Sequence, residues 1–280
     1  MSFVWLLGIA TIAGLALRPR VASRFPLLFR TQQLLIGSTL AVLAGWSLKL
    51  DAQLGATVAV VILAEWSVLL AARLTGQGVL TGVAAHANAG FWSLPATSFL
   101  VPAALPVAVA NSTLGMLRGA PALAWLRASS PQAQSARSGV LDFAPAIGLG
   151  VGWLAGRGFA PPIWAGSVLD AFARFIGVYG AFLVAAAMPS RWPDRTAWRS
   201  TLPSLIVRFA LPSLVILAVA ALGVTLSPLV WVLCLAPIPL NTLLLARVYE
   251  LDAELAAAQL IATTAVALAL LPVVALGVTA

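Results

Sequence analysis

His86-Ala87-Asn88-Ala89-Gly90-Phe91-Trp92-Ser93-Leu94-Pro95 is the stretch on which the reading of this chain turns. It lies inside an apolar run long enough to cross a bilayer. Yet it carries an imidazole, a carboxamide, a glycine and a proline within a few residues. Proline removes a backbone donor and crowds the preceding turn. In hydrocarbon every freed backbone group needs a partner. A broken helix therefore persists there only where it is buried in protein or lines a wet cavity. The second half holds a counterpart, Ala236-Pro237-Ile238-Pro239-Leu240-Asn241-Thr242. Two interrupted spans at corresponding places in two halves are the sequence pattern expected around a transporter's substrate site.

The rest of the composition agrees with a lipid setting. Of 280 residues, 61% are hydrophobic and 9% charged, and the mean hydropathy is +1.03. A soluble fold of this length cannot bury so much apolar surface, so the bilayer is the expected solvent. The net charge of +8 does not point to nucleic acid, because most cations fall in short loops between apolar runs. The single cysteine, Cys234, excludes a disulfide framework and a Cys-rich metal site. Met1-Ser2-Phe3-Val4-Trp5 has no positive leader and reads as the start of a first span rather than a signal peptide.

Ten spans are expected, at about 2–17, 31–48, 53–73, 79–100, 103–126, 140–156, 162–188, 202–222, 228–246 and 253–277. The fourth and ninth are the broken ones. Ser129–Ser138 is polar and reads as the linker between halves, giving domains 1–128, 129–139 and 140–280. Loops after the odd-numbered spans hold Arg18, Arg20, Arg24, Arg30, Arg73, Arg127, Arg137, Arg191, Arg195, Arg199 and Arg247. The opposite side holds only Lys49 and Arg157. The positive-inside rule then makes the linker cytoplasmic and both termini extracytoplasmic. A five-span unit repeated once must insert the second time upside down, which predicts inverted repeats.

Three segments carry a family signature. Asn88-Ala-Gly-Phe-Trp-Ser-Leu-Pro95 resembles the asparagine-to-proline segment of the auxin efflux carrier family, which includes the plant PIN proteins and many bacterial members. Pro239-Leu-Asn241-Thr-Leu-Leu-Leu-Ala246-Arg-Val-Tyr249-Glu-Leu-Asp252-Ala-Glu254 is similar to its penultimate helix and following loop. Arg208-Phe-Ala-Leu-Pro212 is similar to its eighth helix. The resemblance implies an all-α integral membrane protein in the plasma membrane of a bacterium. Its ten transmembrane helices would form two inverted repeats in a crossover, bile-acid-symporter-like elevator fold. Residues 1–50 and 140–190 would form a scaffold, with a possible homodimer through it. Residues 51–128 and 200–280 would form the mobile transport unit. The implied cargo is a small organic anion, an auxin-like monocarboxylate or a dicarboxylate. It would move by secondary or facilitated transport, with no cofactor and no ATP site.

The residues give each candidate a reason. Pro95 and Pro239 break their helices, so that a half-helix N-terminus turns orphan N–H groups toward the midplane, which suits an anion. Asn88 and Asn241 either donate to a carboxylate or satisfy backbone freed by the break. Gly90 permits close backbone crossing or simple packing. Asn111 matches the region where the family places a polar, substrate-facing side chain; an interhelical hydrogen bond is the plainer reading. His86 is a proton-coupling candidate near neutral pH; a hydrogen-bonded interfacial residue is the plainer reading.

Glu65 is the other proton-coupling candidate, the one carboxylate deep in the third span. Buried there, it needs a proton or a cation, with Arg118 and Arg208 as candidates. In the PIN branch an acidic residue near this place is followed four residues later by Lys; here that position is Leu69. Asp170 and Arg174, four apart, are expected to neutralise each other.

A sodium-coupled symporter of the bile acid type is the alternative, and it would need more acidic ligands near the crossover. An intramembrane enzyme needs a nucleophile–base pair or metal ligands. His86 and Cys234 stand in no such motif. A non-transporting receptor is the remaining class.

Overall fold

A computed structural model describes residues 3–21, 24, 27–28, 31, 34, 37–84, 86, 89–129, 143–189, 192–248 and 250–279. The regular structure of these residues is helical, and no strand occurs among them. Four helices are long and apolar enough to cross a membrane: Ala52–Leu74, Trp164–Ala187, Arg195–Ala221 and Ala253–Leu276. The chain divides into two compact units that do not follow its two halves. The first comprises Met1–Lys49, Ala89–Leu114 and Arg137–Met188; the second comprises Leu50–Asn88, Gly115–Ala136 and Pro189–Ala280.

The described helices of the first unit are α1 (Phe3–Val21) and α2 (Ser38–Ser47). A π-helical turn at Ala89–Ser93 leads into the short helix Leu94–Leu100, and Leu105–Thr113, Ala144–Gly158 and Trp164–Ala187 follow. Helix α1 packs on Trp164–Ala187 and α2 on Ala144–Gly158. The second contact runs along a stripe of Gly148, Gly152 and Gly156. A Cβ on Gly152 would overlap the Val42 carbonyl, and one on Gly156 would stand 2.5 Å from the Trp46 carbonyl oxygen. Residues spaced by four lie on one helix face, so their missing side chains let two backbones touch. The π-turn packs against Trp164–Ala187, with the Phe91 ring filling the space a Cβ on Gly180 would need.

In chain order the second unit supplies α3 (Ala52–Leu74), α4 (Val79–Val83), α7 (Gly115–Arg118), α8 (Ala120–Ser129), α11 (Arg195–Ala221), α12 (Leu229–Cys234), α13 (Asn241–Val248) and α14 (Ala253–Thr279). The numbers between belong to the first unit: α5 is Leu94–Leu100, α6 Leu105–Thr113, α9 Ala144–Gly158 and α10 Trp164–Ala187. Helix α3 packs against α11, α12 and α4, and α14 against α11 and α13. Three aspartates start the long helices of this unit. Asp51 accepts from Leu54 N at 2.7 Å, Asp194 from Ala197 N at 2.7 Å, and Asp252 from Leu255 N at 2.8 Å. Each satisfies one of the amides that a helix start leaves unpaired.

Four expectations are corrected. The stretch 195–199, expected as basic loop, is the first turn of α11, because the Asp194 cap starts that helix well before residue 202. Helix α1 continues through Arg18-Pro19-Arg20 to Val21 instead of ending at about residue 17. The stretch expected as the fifth span is not one continuous helix: it is cut at Leu114 and again at Gly119, immediately before Ala120-Pro121. Proline at 121 cannot supply an amide to the preceding turn. Pro95 does not lie where the stretch expected as the fourth span is interrupted. The helix lapses after Val83, and Pro95 sits two residues past the π-turn, at the start of α5. The wider π-turn accommodates a residue that lacks the N–H and crowds the turn before it. Of the linker, Ser129 closes α8, and 130–138 lie outside the described residues.

Candidate functional site

The stretch expected as the ninth span breaks where its prolines stand. Helix α12 stops at Cys234, Leu235–Leu240 are non-helical, and α13 starts at Asn241. Ala236, Pro237, Ile238 and Leu240 are buried, so water cannot satisfy this backbone. Protein groups do so instead. Arg208, itself 3% exposed, donates from Nη1 to the Cys234 carbonyl at 2.7 Å and from Nη2 to the Ala236 carbonyl at 2.5 Å. Thr263 Oγ1 accepts from Ile238 N at 3.3 Å while donating to the Gln259 carbonyl at 2.7 Å. Pro237 and Pro239 contribute no N–H, so two amides that a break would orphan do not exist.

Beside the break lies a cluster of neutral polar groups. Gln259 Nε2 donates to Ser204 Oγ at 3.0 Å and to Thr81 Oγ1 at 3.2 Å, and the two hydroxyls are 3.1 Å apart. Thr81, Ser204, Arg208, Gln259 and Thr263 line a cavity of about 10 Å³, with Val68 and Ile238 among its apolar walls. That is near the smallest space that holds a water-sized group. Among the described residues, Arg208 Nε and Gln259 Oε1 are buried without a hydrogen-bond partner.

A charged group stands in the same unit. Glu65 on α3 is 3% exposed, and its Oε1 lies 2.8 Å from Arg118 Nη1. Its Oε2 lies 3.2 Å from His86 Nδ1. Arg118 is thus the ion-pair partner of Glu65, while Arg208 takes backbone carbonyls. Nε2 of His86 is buried and has no partner among the described residues.

The remaining candidates lie as follows. Pro95 is buried in α5 and Asn111 is 1% exposed in α6, both in the first unit. A Cβ on Gly90 would come no closer than 3.7 Å, to Ser112 Oγ, so space does not require glycine there. Pro239 is half-buried within the second break, and Asn241 is the first residue of α13. Asn88 lies outside the described residues, as does the side chain of Asn241. Asp170 and Arg174 pair at 3.0 Å on α10. Ser98 donates to Asp170 and accepts from Arg174 Nε at 3.2 Å.

Sequence reasoning named Arg118 and Arg208 as alternative partners for Glu65 and as intramembrane cations that could attract an anionic substrate. It missed Thr81, Ser204, Gln259 and Thr263 altogether. Their signal was present: Gln259 is the one carboxamide in the apolar helix α14. No protein-family model matches this chain, and no curated protein matches it.

Proposed function

We propose that this chain is a secondary or facilitative carrier of small organic anions, working in a plasma membrane by an elevator mechanism. The observation that carries the reading is the break at Leu235–Leu240. Irregular backbone in so apolar a chain is tolerated only where protein or a polar cavity satisfies it. Here a buried guanidinium and a threonine do so beside a polar cavity. Interrupted helices of this kind form substrate sites in transporters, and a buried cation beside one suits an anion. The remaining spans, the inverted repeats and the membership of the auxin efflux carrier family belong to the same proposal, supported by the resemblance and by the distribution of arginines.

Glu65 and His86 are the proposed proton-coupling pair. A buried carboxylate held between an arginine and an imidazole whose second nitrogen has no partner among the described residues is an arrangement that can relay protons. The test is a thermal-shift screen of the purified protein with mono- and dicarboxylates, followed by flux in proteoliposomes at several pH values. Binding without flux in any gradient would leave a receptor rather than a carrier. Flux that requires sodium would favour the symporter.

A further inference from the structure

Two buried side chains beside the break each keep one polar atom over. Arg208 commits both terminal nitrogens to the Cys234 and Ala236 carbonyls, and its Nε–H remains a donor without an acceptor among the described residues. Gln259 commits Nε2 to Thr81 and Ser204, and its Oε1 remains an acceptor without a donor among them. Arg208 is 3% exposed and Gln259 1%, so bulk solvent meets neither. A buried polar group left unmet costs its full desolvation, and folded proteins rarely leave one so. Here one is a donor and the other an acceptor, and both residues line the same cavity.

We propose that this cavity is a binding site for a single water molecule, which accepts from Arg208 Nε–H and donates to Gln259 Oε1. The space, about 10 Å³, is the size one water needs. Thr81, Ser204 and Thr263 also line it and supply hydroxyls for the further bonds that a buried water makes. A metal ion of that size would face a guanidinium. Water serves a donor and an acceptor at once, and it does so for either orientation of the Gln259 amide. Polar groups continue outward from the cavity: Ser204 Oγ donates to Gln77 Oε1 at 3.4 Å, and Gln77 Nε2 donates to Thr75 Oγ1, on an exposed residue, at 3.0 Å. The water ties the back edge of Arg208 to α14, so that α11, the break and α14 share one node. This site concerns how the break is held, and it stands whether or not the chain is a carrier.

The test is radiolytic hydroxyl labelling of the full-length, detergent-solubilised chain in water enriched in oxygen-18, read by mass spectrometry. A bound water places the oxidant against side chains that bulk solvent does not touch. Val68 and Ile238 line the cavity and are each 1% exposed; Val60 and Ile176, 2% exposed, do not line it. Val68 is expected to take up label at least tenfold faster than Val60, and Ile238 than Ile176. Gln259→Leu removes the acceptor and is expected to bring Val68 and Ile238 down to their controls. Val68→Ile puts a methyl group in the place of the water and is expected to lower the thermal midpoint, because Arg208 Nε and Gln259 Oε1 then stay unmet. Equal labelling of the matched pairs in the unmutated chain, or a midpoint raised by Val68→Ile as in the filling of a dry void, overturns the water site. A midpoint that rises with chloride in place of gluconate, in the unmutated chain but not in Gln259→Leu, overturns it in favour of a halide. Should Gln259→Leu not fold, the matched pairs and Val68→Ile still decide the matter.

Discussion

The guanidinium of Arg208 holds the carbonyl of Cys234 at 2.7 Å, joining the middle of α11 to the last residue of α12. With its second bond, to Ala236, it stands in for the water that the broken end of α12 cannot reach. Hydrogen bonds to a charged group contribute about 1.5–3 kcal/mol each. Arg208→Leu is therefore expected to destabilise the protein by at least about 3 kcal/mol, read as a lower thermal midpoint in detergent. Arg208→Lys recovers part of the loss, because an ammonium lacks the planar fork that spans two carbonyls. A midpoint unchanged in Arg208→Leu would show that the break is held by other means.

Glu65→Gln separates coupling from transport. If Glu65 belongs to the proton path, flux in proteoliposomes becomes independent of pH. A pH response that survives the substitution assigns coupling elsewhere. The same change leaves the buried Arg118 without its ion-pair partner, a loss of about 3–5 kcal/mol where such pairs are broken. The variant is therefore expected to melt earlier even where it still moves substrate.

Pro239→Ala adds an N–H to half-buried, non-helical backbone and removes a block to helix extension. It is expected to lower flux at least tenfold while the protein still inserts, as judged by yield and monodispersity. Pro95→Ala is expected to act in the same direction by letting the π-turn relax toward an ordinary helix. Undiminished flux in Pro239→Ala would remove that proline from the proposed site, and undiminished flux in Pro95→Ala would show that the π-turn has no part in transport.

The first unit offers a paired packing test. A side chain on Gly152 would overlap the Val42 carbonyl, whereas nothing lies within 4 Å of a Cβ on Gly150. Gly152→Val is expected to wedge α9 off α2 and to cost about 1–3 kcal/mol, the usual range for overpacking. Gly150→Ala is expected to be neutral or slightly stabilising, since alanine favours a helix by about 1 kcal/mol over glycine. Equal thermal midpoints for the two variants would contradict the glycine stripe.

Local chemistry was legible in the sequence, and distant pairing was not. Pro237 and Pro239 announced the second break, because proline acts on its own turn. Asp170 and Arg174 were readable as partners because four residues bring side chains to one helix face. The start of α11 was missed because the Asp194 cap was overlooked among arginines, although a cap is a local signal. The hold of Arg208 on Cys234 and Ala236 had no signal at all, since nothing in the order of residues links position 208 to 234. The choice of Arg118 over Arg208 by Glu65 is likewise set by packing. The hydroxyl and carboxamide cluster of Thr81, Ser204 and Gln259 brings together three separate stretches of chain. Each member alone reads as a tolerated polar residue in an apolar helix.

Cys234, whose carbonyl Arg208 grips, is also the sole sulfhydryl in the sequence, and it is 2% exposed. The protein thus carries an intrinsic reporter at the snapped end of a helix, with no cysteine-free background to engineer. Alkylation by a maleimide, timed with and without cargo, would register each moment at which that end comes into the open.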